Sequence, residues 1–481
     1  MLQADGENKR IKKQMPIFSS VGGIAKLLVA LSLLLSVHSC TEQQLETTSM
    51  RPAPKMILII GDGMDDQQIT IARNYLSGNN GRLKLDELPY RGVVQVQAVD
   101  EANPGQAVYV TDSASTATAI ATGRITSSRR IATSAGTDER LLSIMEIAQS
   151  TGLGTGIVTT ASLTDATPAA FATHINNRFC QGPADMVSII GATRTPVNCS
   201  QYIQANGGGG SISEQIAALE IDILLGGGTQ YFDQISEANS AMSVMDAAVA
   251  NGYKVIRKRE ELALIEADTK VLGLFSPSTM PVRLRGVGGA QAEKIERING
   301  QVRLPAAYSC EPNPQFAGMP TLAEMTRAAL SQFDDVRGFM LMVESASIDK
   351  QSHRRRPCGS IGELAQLNEA LEVALEYAVS HPETLILVTA DHSQAAQLIS
   401  DKVNLLAPNN ASPGFFARLL TPEGSVMGIN YATTDWPRQE GHTGAQVPLY
   451  AFGPNVNQLP SFIRQAEIFG IMERHLGLGS H

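Results

Sequence analysis

The chain has 481 residues, 43% hydrophobic and 18% charged, with 42 glycines, 23 prolines and five cysteines. This much apolar content without charge blocks or repeats excludes a mostly disordered chain and is ample for a large buried core. The formal net charge of −9 excludes non-specific nucleic-acid binding, which draws its affinity from Lys and Arg on phosphates.

Lys9, Arg10, Lys12, Lys13 and Lys26 precede an apolar run, Leu27–Val37, that leads into His38-Ser39-Cys40. A basic segment, a short apolar stretch and small residues before a cut site describe a secretory signal peptide over residues 1–40. The run is shorter than the about 20 apolar residues of a spanning helix. Ending on Cys40, it resembles a bacterial lipoprotein signal, whose cysteine is lipidated and becomes the new N-terminus. Ordinary cleavage nearby is the alternative, and Met15 is an alternative start. The expected product is exported to the periplasm and tethered through Cys40. Without residues 1–40, 33 basic side chains face 45 acidic ones, a net charge near −12. Residues 41–55 read as a tether or arm, and residues 56–481 as one domain.

Within that domain, strand-like apolar runs alternate with helical patterns, which predicts an α/β fold with a mostly parallel sheet. Four runs matter: Met56–Gly61, Thr155–Thr160, Phe339–Glu344 and Thr384–Ala390. Each ends in a polar or carboxylate-bearing turn, and ligand sites in open α/β sheets gather beyond the carboxyl ends of strands. Asp112 is placed to cap a helix through Ala119 with Ser113 in its first turn, where free N–H groups and the helix dipole favour an anion. Gly207–Gly210 and Gly226–Gly228 read as turns. The first precedes Ser211-Ile212-Ser213-Glu214, which has capping-box spacing, and the second lacks the Lys-Ser/Thr ending of a phosphate loop. Residues 230–300 carry no motif with a chemical meaning.

Asp349 and His353, four apart, share one face of a helix. Asp391 and His392 sit where the Thr384–Ala390 run ends, and His442 lies in Glu440-Gly441-His442-Thr443-Gly444, where glycine permits close approach. Carboxylates mixed with imidazoles suit Zn²⁺, whereas Asp62, Glu344 and Thr167 offer only oxygen and suit Mg²⁺.

Six motifs in order, Ile60-Gly61-Asp62-Gly63-Met64, Val110-Thr111-Asp112-Ser113-Ala114, Thr164-Asp165-Ala166-Thr167-Pro168, Val343-Glu344-Ser345-Ala346-Ser347-Ile348-Asp349-Lys350-Gln351, Thr389-Ala390-Asp391-His392 and Glu440-Gly441-His442-Thr443-Gly444, make the chain resemble the bacterial alkaline phosphatases of the two-zinc, one-magnesium type. The resemblance implies a three-layer αβα sandwich around a large, mostly parallel sheet. It implies hydrolysis of phosphate monoesters through a phosphoserine on Ser113, with Arg178 gripping the phosphoryl group. Asp349, His353 and His442 would hold the first zinc, and Asp62, Asp391 and His392 the second. Asp62, Thr167 and Glu344 would hold the magnesium, with Asp165 and Lys350 beside it and Asp112 next to the nucleophile. It further implies disulfides Cys180–Cys199 and Cys310–Cys358, which suit an exported protein, and a homodimer. Cys40 is then the cysteine left over.

This chain departs from the family's habit at Ser345, Ser352 and Asp65, and in Arg354-Arg355-Arg356 directly after His353. The triplet reads either as a solvated loop or as a more positive site mouth that tightens phosphate binding. Other readings are a phosphodiesterase on the same fold or an exported phosphate- or metal-binding lipoprotein without turnover. A sulfatase is disfavoured because Ser113 lacks the following Pro and Arg such enzymes need.

Overall fold

The computed structural model describes residues 53–190, 195–267, 269–333, 338–402, 413–434 and 439–479. Residues 1–40, with Cys40, and most of the expected tether lie outside the described residues.

Ten strands form the central sheet: β1 (Lys55–Gly61), β2 (Tyr90–Gln95), β3 (Gly154–Ser162), β4 (Ile223–Gly227), β5 (Lys254–Ile256), β6 (Val271–Leu274), β7 (Phe339–Ser345), β8 (Thr384–Ala390), β9 (Val447–Phe452) and β10 (Phe462–Arg464). Their order is β10-β2-β9-β8-β1-β7-β3-β4-β6-β5, and only β9 runs against the others. The central strands β1, β7, β3 and β8 are buried along their whole length. That explains why they read as continuous apolar runs: a parallel sheet covered on both faces has no solvated side to alternate with.

Two sets of helices cover the sheet. One includes α1 (Asp66–Ser77) and the long α5 (Pro357–Ser380), and the other α2 (Ser113–Thr122) and α3 (Ala166–Ala172). The three-layer αβα sandwich expected from the sequence is the observed architecture. Strand β1 takes in Lys55, which the sequence reading left in the tether; its ammonium is buried in an ion pair with Glu383. Gly226 and Gly227 are not turn residues as expected. They complete β4 beside β3 and β6, and only Gly228 turns, in the left-handed region. The capping box at Ser211 and Glu214 is present and starts a short helix, Ile212–Ala217.

Both disulfides implied by the resemblance are formed, Cys180–Cys199 and Cys310–Cys358. In the chain-entropy account, loops of these lengths stabilise by ~3–4 kcal/mol each. Among the described residues, no helix is long and apolar enough to cross a membrane.

Candidate active site

The site begins at the carboxyl ends of β1, β7 and β8. These strands pair in register, Gly61 with both Ser345 and Ala390. Asp62, Glu344 and Asp391 therefore reach one edge of the sheet although Asp62 is far from the other two along the chain. The Asp62 N–H donates to the Ser345 carbonyl at 3.1 Å, and the Gly63 N–H donates to Asp391 Oδ1 at 3.0 Å. Gly63 adopts φ 69°, and a Cβ there would lie 3.0 Å from the Asp349 Cβ. Only glycine allows Asp349, on α4 (Ser347–His353), to close the pocket at this point.

Ser113 opens α2, capped by the Asp112 side chain through the Ser115 N–H, as its sequence predicts. The helix runs three residues beyond Ala119. Its short Ala, Ser and Thr side chains are all buried, so it packs close to the sheet and brings Ser113 down among the carboxylates. Ser113 Oγ lies 3.1 Å from His392 Nε2 and 3.4 Å from Asp62 Oδ1. The same His392 nitrogen is 3.3 Å from Asp391 Oδ2 and 3.5 Å from Asp62 Oδ1.

Two groups of ligand atoms lie within 4.8 Å of one another: Asp62, Asp391 and His392, and Asp349, His392 and His442. His353 Nε2 adjoins the second group, 3.0 Å from His442 Nε2 and 3.3 Å from Asp349 Oδ1. His392 thus sits between the two groups, a sharing the sequence did not suggest. Backbone carbonyls orient the other two imidazoles: Glu440 O accepts from His353 Nδ1 at 2.5 Å and Thr111 O from His442 Nδ1 at 2.6 Å. Holding the proton on Nδ1 leaves each Nε2 lone pair facing the centre, the usual state of a ligating histidine.

The electrostatics fit a cation-binding cluster. Burial, then the charges of Asp391 and Asp349, push the Asp62 carboxyl well above its ordinary range. Burial holds the His392 imidazolium down to about 4, so the ring is a neutral donor at pH 7. Burial would raise Asp349, but His353 and His442 outweigh it and hold its carboxyl well below the usual range. A single imidazole N–H cannot satisfy three oxygens at once, whereas a divalent cation at their common centre would.

Behind this cluster, Glu344 accepts from Thr159 Oγ1 at 2.5 Å and also from Thr167. Burial raises its carboxyl to about 7 despite the opposing charge of Lys350. Asp165 accepts from Lys350 Nζ at 2.6 Å and from Arg178 Nη2 at 2.9 Å. Arg178 Nη1 also reaches Asp112 Oδ2 at 3.2 Å. The guanidinium is therefore braced by two carboxylates, one on each side, next to the start of α2. Burial opposes ionisation of Asp165, but Lys350 and Arg178 overcome it and keep the carboxylate charged.

The Arg354-Arg355-Arg356 triplet is not simply a solvated loop. Arg355 is buried, with φ 60°, its guanidinium 3.5 Å from the Phe415 ring centroid and its Nε 2.6 Å from Glu440 Oε1. Glu440 also receives the Thr433 and Thr434 N–H groups, while its carbonyl orients His353. The pair thus fixes the loop that presents His442. Glu440→Gln is expected to destabilise by ~3 kcal/mol, because it leaves a buried guanidinium uncompensated, and to weaken the binding of any metal at the cluster beside it. Urea unfolding and a titration with divalent metal check this; wild-type values in both would make the pair dispensable.

Several supporting residues had no contact assigned to them from the sequence. Gln394 Nε2 donates to Asp349 Oδ1 at 2.5 Å. Asp65, without a reading before, caps α1 and accepts from Ser393 Oγ at 2.5 Å. Ser352 Oγ, where the family often has an acid, accepts from Gln68 Nε2 and donates to the Ile348 carbonyl, both at 2.7 Å. Ser345 Oγ donates to the Glu363 carbonyl at 2.9 Å. Of the glycines beside His442, Gly444 is the demanding one: a Cβ would lie 2.8 Å from the Tyr109 carbonyl oxygen.

A family model described as alkaline phosphatase matches residues 53–417. The chain belongs to the alkaline phosphatase family. It is an enzyme of that family: it is 38% identical to an alkaline phosphatase of Escherichia coli over 441 residues, 90% of this chain and 88% of that protein. It is 40% identical over 457 residues to a streptomycin-6-phosphate phosphatase of Streptomyces griseus, covering 93% and 95% of the two chains. Among solved structures, the alkaline phosphatase of Thermus thermophilus superposes with a TM-score of 0.62 at 20% identity, over 94% of this chain and 97% of that one. The alkaline phosphatase of the Antarctic bacterium TAB5 gives the same score at 21% identity, over 89% and 99%. At that identity the structural matches establish the fold.

Proposed function

We propose that this enzyme hydrolyses phosphate monoesters to an alcohol and inorganic phosphate through a phosphoserine on Ser113. The observation that carries the reading is Ser113 Oγ, 3.1 Å from His392 Nε2, at a helix start and against two ligand groups that share that imidazole. The donor chemistry fits two zinc ions and one magnesium. Asp349, His353 and His442 would hold the first zinc and Asp62, Asp391 and His392 the second, while Asp62, Thr167 and Glu344 would hold the magnesium. Bound zinc would supply the Lewis acidity that lowers the pKa of a serine hydroxyl and of water and offsets charge on a leaving alkoxide.

The protein's own residues do the rest. Arg178 presents two N–H groups in one plane, matched to two non-bridging oxygens of a phosphoryl dianion. Asp112 and Asp165 hold that plane in place before substrate arrives. The Ser113 hydroxyl gives up its proton to solvent, its oxygen attacks phosphorus in line, the Oγ–P bond forms, the P–O bond to the alcohol breaks, and the departing alkoxide takes a proton from water. Water then attacks the same phosphorus, the P–Oγ bond breaks, and phosphate leaves as the serine regains its proton. The free N–H groups at the start of α2 meet charge on the equatorial oxygens.

Export and tethering through Cys40, and a homodimer, belong to the same proposal. Two disulfides in the domain support an oxidising compartment. A chain this acidic repels a free dianion at long range, so the substrate must be drawn by the local cluster of cations.

The test is a comparison of p-nitrophenyl phosphate with its bis ester. Esterifying a second oxygen spoils the two-pronged grip of Arg178, so kcat/KM should be higher for the monoester by roughly 10⁴-fold, the scale at which a site built for polar groups rejects a substrate lacking them. A preference for the bis ester would establish the phosphodiesterase reading instead.

A further inference from the structure

A cavity of about 550 Å³ adjoins the site, sharing Lys350 with it. Among the described residues its lining includes four cationic side chains, Arg285, Lys350, Arg354 and Arg356, and no carboxylate. Two of these charges are answered: Lys350 by Asp165 at 2.6 Å and Arg285 by Glu311 at 2.9 Å. Among the described residues, Arg356 donates to the neutral Gln291 amide oxygen at 3.1 Å and neither Arg356 nor Arg354 has an ion pair. Partial burial and the neighbouring Arg354 charge both lower the pKa of Arg356, and both side chains line this one space. The amides of Asn313 and Gln315 line the same space. The volume lies within the range of about 300–1,000 Å³ typical of small-molecule pockets.

Unanswered guanidiniums around a concave space select a multiply charged oxyanion, because each planar fork takes two of its oxygens. Resting on the monoesterase reading above, we infer that this cavity receives a second phosphate of the substrate. The class served is phosphorylated compounds with a further phosphate, such as nucleoside triphosphates and sugar bisphosphates. Lys350, held on Asp165 together with Arg178, stands where the transferred phosphoryl group and the second phosphate meet. The preference belongs to the arginines after His353, which touch none of the expected metal ligands through an ion pair.

The experiment uses the mature holoenzyme and its Arg354→Ala/Arg356→Ala variant; both side chains are exposed, so the fold should survive. Substrates are ATP against AMP, fructose 1,6-bisphosphate against fructose 6-phosphate, and p-nitrophenyl phosphate. Loss of the two charges should raise KM for at least one doubly or triply phosphorylated substrate about tenfold, equivalent to ~1.4 kcal/mol. The effect should shrink with added salt, while KM for p-nitrophenyl phosphate stays within about twofold, the scale of screened surface charges. Tripolyphosphate should inhibit p-nitrophenyl phosphate hydrolysis competitively, and less strongly in the variant. KM values that move together for all substrates, or not at all, overturn the inference. Non-competitive inhibition also overturns it, because the anion would then be a free ion rather than part of the substrate. If the wild type does not turn over p-nitrophenyl phosphate, the monoesterase reading falls separately. Calorimetry then decides the cavity: tripolyphosphate binding lost in the variant supports it, and unchanged binding refutes it.

Discussion

Ser113→Ala is expected to lower turnover of p-nitrophenyl phosphate by roughly 10³-fold or more, the scale on which loss of a nucleophile acts in other hydrolases. The substitution removes one buried oxygen at the first position of α2 and leaves the helix intact, since alanine is the best helix former and Asp112 still caps the turn. The variant should therefore fold, keep its disulfides and retain its affinity for phosphate through Arg178. What it cannot do is accept a phosphoryl group. Acid quenching after incubation with radiolabelled substrate should trap label on the wild-type chain and none on the variant. Wild-type turnover by the variant would exclude Ser113 as nucleophile and leave direct attack of water as the route.

Chelation with EDTA should abolish turnover and also lower Tm. Asp62, Asp349, Asp391 and Glu344 are buried against one another, with Lys350 the nearby cation. Without bound cations, burial and like charge hold Asp62 above its ordinary pKa, so the bare site takes up protons that a metal must displace; affinity should fall as pH falls. A metal present at a thousand times its Kd stabilises by ~4 kcal/mol, which the chelated protein loses. Scanning calorimetry, with metal analysis before and after chelation, measures both consequences. Zinc and magnesium together should restore activity. Full activity at substoichiometric metal would overturn the metal-site proposal.

The four central strands were legible because β1, β3, β7 and β8 are buried on both faces and so lack any polar alternation. Asp112 and Ser113 were legible because a helix cap is a local contact within three residues. Gly226 and Gly227 were misjudged for the opposite reason: nothing local distinguishes a glycine in a turn from one that completes a strand between two neighbours. Arg355 was missed because its partners, Glu440 and Phe415, are more than 50 residues away, and a run of three arginines reads as exposed by composition alone. Gln394 and Glu440 likewise gained their roles only from what the fold sets beside them, as did the Asp65 bond to Ser393, whereas the Asp65 cap on α1 is local.

The layered α/β architecture and the family were thus readable along the chain, and the proposed nucleophile, ligands and arginine were named from it, because short motifs and burial patterns act locally. The folded structure alone shows that His392 stands between two groups of candidate ligands, that backbone carbonyls set the faces of His353 and His442, and that three arginines line a cavity joined to the site. Those are facts of distance across the aligned ends of three strands and the loops above them. No spacing along the chain encodes them, because parallel strands in register bring together residues whose separation in sequence is arbitrary.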